Sequence, residues 1–441
     1  MSHRSTATAI ARAVLTPPVA RLAILDRLAQ CTQFPEVTDR ALLDGLLEAG
    51  LTSHWTIAQV ADALEADPLF EEACQDRRLR VPIQGWFMSR ATTLAPAPAR
   101  LHGVERPHWP AVGDLADDLG VSVPGLWRLT RSASWQRKAA LGEQHYRYQL
   151  LPKRTGGWRL LEVPEPYLRE LQRKVLDRLL AHVPPHEAAC AYVRGRSVVD
   201  HARTHAGQTV LLKFDLQDFF ATVRASRVHA SVVALGYSQP VARALTALCT
   251  TATPEPVLER LRVDGGLSWM QAMRLRDAHL PQGAPTSAAL ANLCAFRLDV
   301  RIAALARSLG ARYTRYADDI VLSGDAALLR AADRIEARIG AFALDEGFVL
   351  NHRKTRRVTR ARRQQVCNIV VNERPNLPRG DFDRLKAQLH LCATRGAAAQ
   401  NREGLPNWEQ HLRGRVAWAE QLNPDKARRL RRLLDAIDWA T

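Results

Sequence analysis

The stretch Tyr313-Thr-Arg-Tyr-Ala-Asp-Asp-Ile-Val-Leu-Ser-Gly324 sets two adjacent carboxylates, Asp318 and Asp319, between two short apolar runs. β-Branched and aromatic residues on both flanks predict strand, tight turn, strand. An Asp-Asp pair at a hairpin tip has two readings: turn chemistry with solvated carboxylates, or a pair of metal ligands. The surrounding chain has to decide.

Thr209-Val-Leu-Leu-Lys-Phe-Asp-Leu-Gln-Asp-Phe-Phe220 predicts an apolar strand that delivers Asp215 at its C-terminal end. A carboxylate on a buried strand is costly unless it is paired or bound to metal. Asp218 reads as a solvated or helix-start residue, and Phe219 and Phe220 read locally as core. Leu280-Pro-Gln-Gly-Ala-Pro-Thr-Ser-Ala-Ala-Leu-Ala-Asn-Leu293 predicts a turn running into a helix of small residues, capped by Thr286 or Ser287. Small side chains there allow a backbone or a nucleotide to approach closely.

Upstream, Tyr148 to Pro164 describes a β-hairpin with a basic tip, Lys153-Arg-Thr-Gly-Gly157, where Lys153 and Arg159 can grip a triphosphate or stay solvated. A helix is predicted from Tyr167 to Leu180, with Leu168, Leu171, Val175 and Leu179 on one face. Tyr192-Val-Arg-Gly-Arg-Ser-Val-Val199 offers Arg194 and Arg196 around a glycine, a pattern suited to phosphate. Residues 224–279 read as largely helical, with a charged, insertion-like part from Glu255 to Asp277. Leu328, Ala332, Ile335, Ile339 and Phe342 mark an amphipathic helix, and Gly347 to Thr355 reads as strand and turn.

Residues 1–105 read as a helical extension ending in a Pro/Ala-rich linker, Ala95-Pro-Ala-Pro-Ala-Arg100. Asp114 to Arg128 has helix-turn-helix spacing, which invites a DNA-reading role, although compact helix pairs of this kind usually serve packing. From residue 373 the chain predicts a small helical domain. Its last helix, Lys426-Ala-Arg-Arg-Leu-Arg-Arg432, carries Arg428, Arg429 and Arg432, either as a solvated face or to track a nucleic-acid backbone.

Composition narrows the class. With 62 Lys+Arg against 45 Asp+Glu the net charge is +17, which favours a polyanionic partner such as nucleic acid. A 46% hydrophobic content argues against wholesale disorder. No apolar run approaches a membrane span, and the N-terminus lacks the form of a secretion signal. The seven cysteines include no Cys-x-x-Cys arrangement, so no disulfide framework or zinc site is expected, and a reducing cytoplasm is.

Taken in order, Leu-Pro-Lys-x5-Arg, Phe-Asp-Leu-x-Asp-Phe-Phe, Leu-Pro-Gln-Gly-Ala-Pro-Thr-Ser and Tyr-Ala-Asp-Asp resemble the fingers-and-palm signature of reverse transcriptases, over residues 145–372. The resemblance implies an α+β, right-hand polymerase fold with fingers, a palm built on an antiparallel sheet, and a helical thumb. Residues 1–105 would be an α-helical N-terminal extension, 106–372 fingers and palm, and 373–441 the basic thumb. It further implies that Asp215, Asp318 and Asp319 hold two Mg²⁺ ions for phosphoryl transfer. Lys153 and Arg159 would contact the incoming triphosphate, Gln282 would border the nucleotide pocket, and Lys354 would assist pyrophosphate departure. Phe220 matches the aromatic gate that excludes a ribose 2′-hydroxyl.

Within that family the chain is similar to bacterial retron enzymes and related phage-defence enzymes. Gly195-Arg-Ser197, Ala202-x-x-His205, Ala284-Pro-Thr-Ser287 and Gln365-Val-x-x-Ile-Val-Val-Asn372 carry the similarity. It departs where retron enzymes carry Asn-Ala-x-x-His, here His201-Ala-Arg-Thr-His205, and Val-Thr-Gly, here Val366-Cys367-Asn368. The implied activity is RNA-directed DNA synthesis on a dedicated structured noncoding RNA. The implied partners are that RNA, the RNA–DNA hybrid, dNTPs and an accessory effector protein, with no membrane. Arg194, Arg196, His205, Arg428, Arg429 and Arg432 are the expected RNA or DNA contacts. The competing expectations are template-independent or protein-primed synthesis, and a nucleic-acid-binding protein with a secondary polymerase site.

Overall fold

The computed structural model describes residues 3–16, 19–32, 34–52, 54–75, 94, 98–101, 103–152, 158–265 and 267–439. The basic hairpin tip at 153–157, with Lys153, and residues 95–97 of the Pro/Ala-rich linker lie outside the described residues. The chain divides into two compact units, Met1–Pro184 with Phe220–Cys294, and Pro185–Phe219 with Ala295–Thr441.

The first unit begins with five helices, His3–Leu15, Arg21–Cys31, Glu36–Glu48, Ile57–Glu65 and Pro68–Gln75. They enclose a core that includes Ile10, Leu28, Leu43, Leu64 and Phe70. Thr56 starts the fourth through a capping box with Gln59, satisfying backbone donors that the first turn leaves open. The helix-turn-helix stretch forms helices Val112–Leu119 and Val123–Leu129, with Gly120 at φ 72° between them and the Ser122 hydroxyl accepting from Gly125 N. Leu115, Leu119 and Leu126 are fully buried, and the second helix packs on Gln239–Cys249 and Arg21–Cys31. Packing is the role it visibly serves. Strands β1 (Tyr146–Pro152) and β2 (Trp158–Pro164) form the expected antiparallel hairpin, followed by the helix Pro166–Arg178. The charged stretch forms two further helices, Glu255–Gly265 and Trp269–Arg276.

The second unit is built on a four-stranded antiparallel sheet. Its strands are β3 (Val210–Asp215), β4 (Arg312–Tyr316), β5 (Asp319–Gly324) and β6 (Arg356–Thr359), in the order β4-β5-β3-β6. Leu211, Leu212 and Phe214 are all buried, so β3 is covered on both faces. A small hairpin, β7 (Gln365–Val366) and β8 (Ile369–Val370), turns at Cys367 and Asn368 with φ of 44° and 65°. Two consecutive positive φ values are the signature of a two-residue type I′ turn. Val199, Ala202, Leu211, Val321, Val366 and Ile369 share one core.

The strand expected within Gly347–Thr355 is absent as a ladder. Gln217 N donates to Val349 O and Asn351 N to Asp215 O, after which the backbone tightens into a 3-10 turn at His352–Lys354. Regular pairing resumes only at Arg356. The C-terminal helices Arg379–Arg395, Trp408–Leu422 and Pro424–Asp435 enclose their own core around Leu389, Leu412, Val416 and Leu430. Among the described residues no helix is long and apolar enough to cross a membrane.

Candidate active site

The hairpin of β4 and β5 turns at Ala317 and Asp318, and Ala317 adopts φ 55°, a left-handed conformation unusual for a residue with a Cβ. Asp319 opens β5 and is the register partner of Tyr316 on one side and of Asp215 on the other. Leu216 N donates to Asp318 O at 2.9 Å, which ties the end of β3 to the turn. Asp215 and Asp319, on neighbouring strands, and Asp318, in the adjoining turn, therefore gather at one end of the sheet.

Their electrostatics follow from that crowding. Burial, then the negative charges of Asp215 and Asp319, pushes the Asp318 carboxyl up to about 6. Asp215 is raised by burial, against which the Lys354 hydrogen bond acts. Lys354 Nζ lies 2.8 Å from Asp215 Oδ2. Burial opposes the Lys354 charge, but the bond to Asp215 and the field of the other two aspartates raise its pKa overall. The Cys367 thiol is 3.6 Å from Asp319 Oδ2, and burial followed by the Asp319 charge pushes it up to about 12.

Among the described residues no three His, Cys, Asp or Glu side chains are already drawn together around a point where a metal ion would sit. The donor set nevertheless fits a hard divalent cation. It consists of carboxylate oxygens whose mutual repulsion a cation would relieve, and an ammonium already occupies one of them.

Two buried polar groups grip the hairpin, one from each face of β4. Tyr313 and Arg315 both bond Asp299 of the helix Phe296–Ser308, and Arg315 and Asp299 are fully buried. Thr314 faces the other way, with its hydroxyl 2.6 Å from His201 Nδ1 and 2.7 Å from His205 Nε2. His205 Nδ1 also lies 2.7 Å from Ser323 Oγ of β5. Burial holds both imidazoles neutral, His201 down to about 3 and His205 well below its ordinary value. This corrects the expectation that His205 contacts RNA: with no exposed surface, it pins the two strands of the hairpin instead. Asp299 and Arg315 escaped the sequence reading. The signal was an arginine alternating with Tyr313 along a strand otherwise fit for burial, which calls for a buried acid.

In the first unit, Arg159 is exposed on β2 and pairs with Leu151 in register. Gln282 is half-buried, and its carbonyl accepts from Glu162 N at 2.9 Å. Glu162, also unanticipated, is a buried hub: its carboxylate meets His279 Nε2 at 2.9 Å and the Thr253 hydroxyl at 2.7 Å. Burial opposes the charge on His279, but Glu162 raises its pKa. Gly283 is at φ 138°, where a Cβ would come within 3.1 Å of Glu162 O, so this turn requires glycine. Ser287 does not act as the expected cap; it begins the helix, and its hydroxyl donates back to Pro281 O at 2.6 Å.

Phe220 is half-buried in the short helix Phe219–Thr222, while Phe219 is buried and stacks on Phe348. Arg194 and Arg196 are exposed. Arg428, Arg429 and Arg432 lie on the outer face of the last helix. Arg429 and Arg432 also line a cleft of about 390 Å³ with Lys386 and His390.

A family model described as reverse transcriptase (RNA-dependent DNA polymerase) matches residues 151–383. The retron Mx65 reverse transcriptase of Myxococcus xanthus is 37% identical over 368 residues, covering 82% of this chain and 80% of the relative. The retron Mx162 reverse transcriptase of the same organism is 34% identical over 71% of this chain and 64% of its own length. The retron Ec86 reverse transcriptase of Escherichia coli is 26% identical over 75% and 90% respectively. A solved structure of Candida albicans telomerase with a fragment of telomeric RNA aligns at a TM-score of 0.36 and 11% identity, over 64% of this chain and 55% of that one.

Proposed function

Because the chain belongs to the reverse transcriptase family and is an RNA-directed DNA polymerase of retron type, we propose that it copies a dedicated structured noncoding RNA into DNA from a site built on Asp215, Asp318 and Asp319. The observation that carries this reading is the pairing of Asp215 with Asp319 beside the Asp318 turn.

Three carboxylates with oxygen donors alone suit two Mg²⁺ ions, which would supply activation of a primer 3′-hydroxyl and stabilisation of the leaving pyrophosphate. Lys354, which bonds Asp215 in the free protein, carries on Nζ a proton for the departing pyrophosphate. Lys153 and Arg159 bind the incoming triphosphate, and Gln282 borders its pocket. Phe220 excludes a ribose 2′-hydroxyl and so selects dNTPs. Arg194, Arg196 and the thumb arginines Arg428, Arg429 and Arg432 hold the template RNA and the RNA–DNA hybrid by their phosphates, in keeping with a net charge of +17. The protein works in the cytoplasm, in antiphage defence, together with an effector protein.

Sequencing the nucleic acid that co-purifies with the protein tests this. A single structured RNA joined or hybridised to complementary DNA is expected, and it should lose its DNA part in Asp318→Asn. Recovery of unrelated cellular RNA, with no DNA copy in the active protein, contradicts it. Loss of phage resistance in the same variant tests the defence role.

A further inference from the structure

A buried ion pair rarely earns its place through stability, since apolar residues of similar volume do as well or better. The pair of Arg315 and Asp299, with neither side chain exposed, therefore asks for another role. Arg315 Nε and Nη2 donate to the two Asp299 oxygens at 2.8 and 2.6 Å, and the Tyr313 hydroxyl donates to Oδ1 at 2.6 Å. This fork fixes the plane of the guanidinium. Its Nη1 then donates to Ala317 O at 2.9 Å. Ala317 is the left-handed residue immediately before Asp318. No glycine eases that conformation, so surrounding contacts have to hold it. The arginine's own backbone is fixed as well, with Arg315 N donating to Ala188 O and Cys190 N to Arg315 O.

We propose that Arg315, locked by Asp299, is a positioning residue that holds the Ala317 turn and thereby sets Asp318 and Asp319 against Asp215. This rests on the reading of the three aspartates as the metal-binding carboxylates. Arg315 touches neither substrate nor reacting atoms; it acts through the Ala317 carbonyl.

The test uses the full-length protein on a primed RNA template, measuring kcat, KM for dNTP, the half-saturating Mg²⁺ concentration and the melting temperature. Arg315→Met with Asp299→Leu removes both charges together and keeps the volume. This double variant, which also strips the Tyr313 hydroxyl of its acceptor, should fold with a modestly lowered melting temperature. Its kcat should be lowered about 100-fold, the value typical of a small misplacement of catalytic groups. Its Mg²⁺ requirement should rise several-fold while KM for dNTP changes little, and Arg315→Lys should fall between. Should the double variant not fold, Asp299→Asn keeps the shape and is expected to show the same split in milder form. A folded variant with parental kcat and Mg²⁺ dependence overturns the positioning role, provided Asp318→Asn is inactive. Incorporation that survives Asp318→Asn instead overturns the reading of the carboxylates beneath it.

Discussion

Asp215 and Asp319 stand opposite one another across the antiparallel β3–β5 pair, and Lys354 Nζ reaches Asp215 Oδ2 at 2.8 Å. The ammonium is the cation that balances the crowded carboxylates in the free protein. On the proposed reading of the three aspartates as the catalytic carboxylates, the same contact holds Lys354 where it would deliver a proton to the departing pyrophosphate.

Lys354→Ala should therefore lower kcat by about 10²-fold, the scale of a lost general acid, while KM for the primed template stays near its parental value. Lys354→Arg should recover part of the loss. Steady-state incorporation on a fixed RNA template measures both, and an unchanged kcat in Lys354→Ala contradicts the role.

Acid should weaken the second unit through its buried histidines. Burial, with a smaller effect from Lys213, holds His201 at about 3 when folded, against an ordinary imidazole value of 6.5. Between those values the unfolded chain binds more protons, so stability rises with pH across the window and is lost as pH falls from 6.5 toward 3. His201→Asn removes this dependence. Its melting temperature relative to the parent should improve from pH 7 to pH 5, and a constant difference argues against the assignment.

How much of this the sequence disclosed depended on whether a residue's partner lay nearby in the chain. The Asp318–Asp319 hairpin was legible because β-branched residues flank a turn, and Asp215 because a carboxylate on an apolar strand is conspicuous. His205 was misread as an RNA contact because its partners, Thr314 and Ser323, lie more than a hundred residues away. Asp299 carried no local signal, because the Arg315 that bonds it lies on a separate element, strand β4. The β7–β8 turn was hidden because Cys367 takes a left-handed conformation usually left to Asn or Gly. Local pattern marked the candidate residues; long-range packing decided which of them, such as His205, are buried within the frame.

In the first unit, Glu162 ties β2, which carries Arg159, to the Gln282 turn through its backbone and to His279 through its side chain. Glu162→Gln should raise KM for dNTP more than it lowers kcat. It should also destabilise the protein by roughly 3 kcal/mol, the cost of breaking a buried charged pair. Nucleotide titration and thermal melting check the two effects separately. A destabilised variant with unchanged KM removes the link to the nucleotide pocket.

The cleft lined by Lys386, His390, Arg429 and Arg432 lies between the helices Arg379–Arg395 and Pro424–Asp435. If its arginines meet phosphate, Arg429→Ala and Arg432→Ala should each weaken RNA binding without regard to sequence. Each should also reduce the slope of log affinity against log salt by about 1. Filter binding across a salt series measures this, and an unaltered slope in the double variant rules the cleft out as a phosphate track.

The most direct measurement is dNTP incorporation on a primed RNA template by the parent protein and by Asp318→Asn, with melting curves for both. The parent is expected to extend the primer in Mg²⁺, and the variant to fold normally while losing at least about 10³-fold in rate. Equal incorporation by a folded Asp318→Asn would contradict the assignment of the Asp215, Asp318 and Asp319 cluster as the catalytic centre.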